Sequence, residues 1–175
     1  MATFVERVIG AAKLDAATYE EVEADRSAMG QAIAVILVAS VAAGIGAMGD
    51  EQGPGLVVGA IGSLVGWLLW AAITWLVGTK LLPSPQTEAD FGQLLRTLGF
   101  SAAPGVFMIL VIIPVIGWLI GLLASLWQLA AMVVAVRQAL DYESTGRAVA
   151  VCVIGFLAYL FVGLVLLGSF SAMRG

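Results

Sequence analysis

Histidine is absent from this 175-residue chain, and there is a single cysteine, Cys152. Without imidazole, the commonest biological metal ligand and general base are missing, so serine–histidine and thiolate–imidazole catalysis are excluded. One thiol cannot form an intrachain disulfide; set in an apolar run, Cys152 reads as a small residue facing protein or lipid. Charge is scarce too: 11% of residues are charged and 61% hydrophobic, where soluble domains carry about a quarter charged residues. Too little polar surface remains to coat a water-soluble globule. The eight lysines and arginines stand singly between apolar segments, so no basic patch exists for nucleic acid to bind. Neither cofactor nor metal is expected, and no set of acid, base and nucleophile suggests an enzyme.

What the chain has instead is long apolar runs. Each needs about 20 residues to cross the hydrocarbon, and five are predicted, over about residues 28–48, 56–82, 100–113, 118–136 and 148–170. The predicted fold is an all-α integral membrane protein, a compact bundle of five transmembrane helices preceded by short amphipathic and acidic helices. Residues 1–27 form that head and 28–175 the membrane domain. The acids Glu6, Asp15, Glu20, Glu21, Glu23 and Asp25 all precede the first run, and a cleavable signal would need a basic start instead. Phe4, Val5, Val8, Ile9 and Ala12 share one helical face, which suits a helix lying on the inner membrane surface. A second helical piece has Asp15 as its cap and spaces Tyr19 and Val22 three apart; Ser27 is placed to cap the first span.

Gly49 to Pro54 is a turn of breakers and acids between the first two spans. Between Pro83 and Asp90 the chain is polar. Phe91, Leu94, Leu95 and Leu98 then recur at helical spacing and predict an interfacial helix over about 90–99. The third span that follows is short and contains Pro104, which predicts a kink near Ala103. Pro114 to Gly117 allows only a tight reversal into the fourth span.

Basic residues favour the cytoplasmic side of membrane proteins. In a five-span arrangement Arg7, Lys13, Arg26, Lys80, Arg96, Arg137 and Arg147 fall on one side, and only Arg174 on the other. Four or six spans would split the set. The bias therefore predicts a multi-pass protein with its amino terminus in the cytoplasm and its carboxyl terminus outside.

Several residues in and beside the spans are candidates for function. Gln128 stands near the middle of the fourth, where an unpaired amide is costly; a backbone carbonyl or the hydroxyl of Ser40, Ser63 or Thr74 is its expected partner. Gly55, Gly59 and Ser63 fall four apart, as do Gly117, Gly121 and Ser125, a spacing that brings helix backbones close within a monomer or between copies. Arg137 and Asp141 are spaced for a salt bridge or a lipid-phosphate contact, and Arg96 and Arg147 share their depth. These four are the candidate lipid-headgroup or partner contacts. Trp118 fits an interfacial anchor, whereas Trp67, Trp70 and Trp127 lie deeper, either packed or lining a groove. No predicted span carries an interior acid, which argues against ion-coupled transport.

The order of Leu94-Leu95-Arg96, Gly99-Phe100-Ser101-Ala102-Ala103-Pro104, Ile113-Pro114, Gly117-Trp118, Trp127 and Arg137-Gln138-Ala139-Leu140 resembles the Yip family, five-span proteins named for interaction with Rab-type GTPases. The likeness covers about residues 91 to 160. Eukaryotic members carry Asp-Leu-Tyr-Gly-Pro in the cytoplasmic head; here Asp15 to Tyr19 reads Asp-Ala-Ala-Thr-Tyr. Rab binding is therefore not carried over, and the short head looks like the prokaryotic branch, in the cytoplasmic membrane. For that branch the resemblance implies a fold but no agreed reaction or ligand; hydrophobic bulk without chemistry leads to the expectation of a non-enzymatic membrane scaffold of the Yip type that organises lipid or recruits a protein partner at the inner leaflet. The alternative is a small transporter, channel or lipid-translocating protein. Membrane lipid and a second copy of the chain are the other expected partners.

Overall fold

The computed structural model describes residues 2–47, 56–87 and 89–172, with side chains described from 58 in the second stretch and to 165 in the third. Two short helices, α1 (Phe4–Ala12) and α2 (Ala16–Ala24), form the head. A 3-10 turn (Arg26–Ala28) leads into α3 (Met29–Gly46). Helix α4 (Leu56–Leu76) ends in a π-helical turn (Val77–Leu81), followed by α5 (Phe91–Phe100), a 3-10 segment (Ala103–Ile112), α6 (Gly117–Ala139) and α7 (Thr145–Ala172). Among the described residues, five helical runs are long and apolar enough to cross a membrane: Arg26–Gly46, Val58–Leu81, Phe91–Ile112, Gly117–Ala139 and Thr145–Val165. The protein is a polytopic integral membrane protein. The predicted turn from Gly49 to Pro54, Gly55 and Arg174 lie outside the described residues.

The third run departs most from expectation. Its most apolar stretch is 61% buried, against 17–28% for the other four, so it is the central element of the bundle. Helix α5, expected at the interface, has Leu94, Thr97 and Phe100 wholly buried. A capping box starts it: the Asp90 amide donates to Gln93 Oε1 at 2.6 Å and the Gln93 amide to Asp90 Oδ1 at 3.1 Å. Pro104 does not kink an α-helix. It occupies the second position of the 3-10 segment, where its missing N–H costs little. A 3-10 helix rises about 2.0 Å per residue against about 1.5 Å in an α-helix. Ten residues of each therefore cover about 35 Å, enough for a segment that looked too short.

Small residues let the central run approach α3. Ala32, Ala39 and Gly46 recur every seven residues along α3 and face Gly99, Gly105 and Met108. A Cβ on Gly99 would lie 2.6 Å from Ala32 Cβ, and one on Gly105 3.0 Å from Ala39 Cβ. Lipid gives helices no hydrophobic reason to associate, so such close contact supplies the packing energy. The chain reverses between the 3-10 segment and α6 through Val115, whose φ of 72° is left-handed and whose side chain is exposed.

Candidate functional site

The head is not a loose tether. Thr3 and Glu6 open α1 with a capping box: the Glu6 amide donates to Thr3 Oγ1 at 3.3 Å and the Thr3 amide to Glu6 Oε2 at 2.7 Å. One turn on, Arg7 is 2% exposed. Its guanidinium reaches Glu21 Oε1 at 2.9 Å, Asp25 Oδ2 at 2.8 Å and Gln31 Oε1 at 3.1 Å, joining α1 to α2, to the turn and to the first span. The Ala2 amide and Arg7 hold the Glu21 carboxyl below its usual range, and Ser27 and Arg7 do the same for Asp25. Asp25, not Ser27, caps the entry to the first span, accepting from the Ser27 amide at 2.9 Å. Asp15 stands at the N-cap position of α2, but its carboxylate accepts from the Thr18 hydroxyl rather than from a backbone amide.

Both head helices end without a basic residue in the last turn, and carbonyls of their last turns accept from side chains of other elements. The Tyr19 hydroxyl donates to Ala11 O at 3.1 Å, and the Trp127 indole to Ala12 O at 2.7 Å. Arg96 is buried; its Nε donates to Val22 O at 3.0 Å and its Nη2 to Glu23 O. A cation at a helix C-terminus is favoured by the helix dipole as well as by the hydrogen bonds. This corrects the expected role of Arg96 as a lipid or partner contact, because its guanidinium is spent inside the fold.

The other predicted contacts flank the connector between α6 and α7: Arg137 in the last turn of α6, Asp141 on the connector and Arg147 in the first turn of α7. Arg137 donates to Tyr142 O at 3.1 Å and to Glu143 O at 3.2 Å, so the predicted Arg137–Asp141 salt bridge is not formed. Asp141 is exposed in the left-handed region with φ 51°. Arg147 is exposed, donates to Pro83 O at 3.1 Å and lies 5.6 Å from the Tyr142 ring centre. The single Tyr142 hydroxyl hydrogen is within reach of Leu82 O at 2.7 Å and of Gly78 O at 3.0 Å, two carbonyls around the π-helical turn.

Half-buried Glu23 is the one head carboxylate with a strongly raised pKa. Burial, then the charges of Asp141, Glu20 and Asp90, push it up to about 7 against the pull of Arg96. On the outer face of α1, Phe4, Val5 and Ile9 stay 39%, 62% and 48% exposed. Arg7 is turned inward, Val8 and Ala12 of the predicted apolar strip pack against the core, and Phe4, Val5 and Ile9 are left outside.

Within the bundle is a cavity of about 810 Å³, walled by α3, α4, the central run, α6 and α7. Trp67, Trp70 and Gln128 line it; Trp127 does not, being stacked on Phe107 at 5.2 Å outside. Gln128 makes no hydrogen bond among the described residues. Ser40 and Ser63, expected as its partners, donate to Ile36 O and Gly59 O of their own helices, and the Thr74 hydroxyl is buried unpartnered elsewhere. The two small-residue series diverge. Gly117 and Gly121 face Val111 of the 3-10 segment, Gly59 faces open space, and Ser125 is exposed and bonded to Gly121 O.

The Thr3–Glu6 spacing could have revealed the first cap, but nothing in sequence marked Arg7 or Arg96 as buried. A family model described as the Yip1 domain matches residues 15–167, so α1 lies just outside the matched stretch. No curated protein and no solved structure matches the chain.

Proposed function

The chain belongs to the Yip1 domain family, and from that premise we propose that it is a non-enzymatic membrane organiser that recruits a partner at the inner leaflet. The observation that carries this reading is the clamped head. Arg7 and Arg96 fix α1 and α2 against the bundle, while Phe4, Val5 and Ile9 remain exposed. A strip held rigid in advance loses little conformational entropy on binding. The bias of basic residues supports an inside amino terminus, and the absence of an Asp-Leu-Tyr-Gly-Pro string from the sequence supports the prokaryotic branch and its cytoplasmic membrane. Asp141, whose charge acts on Glu23 of the head, lies exposed and extends the candidate partner surface; Arg147 is exposed on the α6–α7 side, bonded to Pro83 O.

A photo-crosslinking residue at Val5 tests the reading in intact cells, with the same residue at lipid-facing Leu123 as control. A discrete protein adduct from Val5 alone supports recruitment. Lipid adducts from both positions would reduce the strip to a membrane anchor and overturn it. The second reading, a small transporter, channel or lipid-translocating protein, draws support from the cavity and its unpaired Gln128. Flux of ions or labelled lipid in proteoliposomes no greater than in empty vesicles would end it.

A further inference from the structure

The cavity carries an inference that rests on neither reading. No Asp, Glu, Lys or Arg lines it, so an ionic ligand would be desolvated there without a counter-charge. Its α7 wall includes Val153, Phe156 and Leu157, each more than half exposed, which makes it a cleft open to hydrocarbon. Besides the buried indole N–H groups of Trp67 and Trp70 on α4, two polar groups of the lining, on α6 and α7, have no protein partner among the described residues. One is the Gln128 amide, eleven residues from either end of α6, or about 16 Å of helix. The other is the Tyr159 hydroxyl on α7, whose ring packs edge-on against Trp70 at 6.1 Å. Both can donate a hydrogen bond, and in hydrocarbon an unpaired donor is costly.

We infer that the cleft binds a neutral glycerolipid of the diacylglycerol class, with its ester carbonyls accepting from Gln128 and Tyr159 and its acyl chains filling the space along α4 and α7. The volume lies within the range of small-molecule sites. The depth of Gln128 excludes a phospholipid held by the same groups, because its charged headgroup would have to enter the hydrocarbon. Water fits poorly, since the walls are mostly apolar and an ordered water needs two to four polar partners. Two flexible esters can adjust to donors on separate helices.

The test uses the full chain in phosphatidylglycerol nanodiscs with a diacylglycerol probe bearing a diazirine in one acyl chain. Adducts are expected on Met132 and Phe156. Unlabelled dioleoylglycerol should compete about five-fold better than its dialkyl ether analogue, which keeps the chains and the hydroxyl but lacks both carbonyls. Gln128→Leu and Tyr159→Phe should each erase most of that preference while labelling persists, and Ser63→Phe, which fills the cleft, should abolish labelling. Thermal melting of each variant separates lost binding from lost folding, and Gln128→Leu keeps the test decisive if Ser63→Phe fails to fold. Adducts confined to Leu123, Leu126 and Leu164 on the outer surface would overturn the inference. So would equal competition by the ether analogue, or displacement by an isoprenoid quinone but not by dioleoylglycerol.

Discussion

The indole N–H of Trp127, on α6, donates to the backbone carbonyl of Ala12 at 2.7 Å, across 115 residues of sequence. The contact ties the last turn of α1 to the membrane bundle and satisfies a carbonyl that the helix itself cannot pair. Its partner on the other head helix is Arg96, which serves the C-terminal carbonyls of α2. The C-terminal ends of both head helices are thus hydrogen-bonded to the bundle.

Trp127→Phe keeps a ring to stack on Phe107 but removes the donor. It should cost about 1 kcal/mol. Hydrogen–deuterium exchange should speed up several-fold over residues 4–12 and stay unchanged in α7. Unchanged exchange in α1 would mean that the bond contributes nothing to docking.

Arg96→Met should be the more severe change, about 3 kcal/mol, because it leaves the Val22 and Glu23 carbonyls buried without a donor. Lysine should rescue only in part, since one ammonium cannot match the guanidinium fork. The readouts are the melting temperature in detergent and protease cleavage near residues 13–15.

Glu23 makes head docking pH-dependent. Its folded pKa of about 7 stands above the ordinary carboxylate value of 4.5, so the folded state holds the proton more tightly than the unfolded state. Below pH 4.5 both states are protonated and no penalty applies. Between 4.5 and about 7 docking weakens as pH rises, and above that the loss is complete. Glu23→Gln should flatten the profile and stabilise the head at neutral pH by about 1 kcal/mol, after allowance for partial exposure. Protease resistance of the head, followed from pH 4 to 8, reports it.

Gly99→Ala should destabilise the bundle by about 2 kcal/mol, because the added methyl meets Ala32. Ala32→Gly in the same chain should recover part of the loss. Gly59→Ala, with nothing within 4 Å, should be neutral or stabilising by up to about 1 kcal/mol. Melting of the three variants distinguishes a packed glycine from an open one.

The five spans were legible in sequence because hydrocarbon imposes a simple demand: every crossing needs a long apolar stretch whose backbone bonds within itself. Hydropathy and the positions of the arginines carry that information one residue at a time. The start of α5 at Asp90 was equally local, since a capping box is written in residues three apart. The 3-10 geometry of residues 103–112 was not legible, because Pro104 marks a break without saying which helix follows. The Ala32, Ala39 and Gly46 series became meaningful only once its partners on the central run were known.

Sequence by itself determined that this chain is an all-helical membrane bundle with an acidic head and without the residues for imidazole chemistry. Tertiary structure alone decided what its polar residues do. Arg96 reads in sequence like any basic residue near a membrane edge, yet it is buried against helix carbonyls 73 and 74 residues away. Gln128 reads as a residue needing a protein partner, yet it faces a cleft. Apolar character is a property of a residue and its neighbours along the chain, whereas satisfaction of a polar group depends on what the fold brings within about 3 Å.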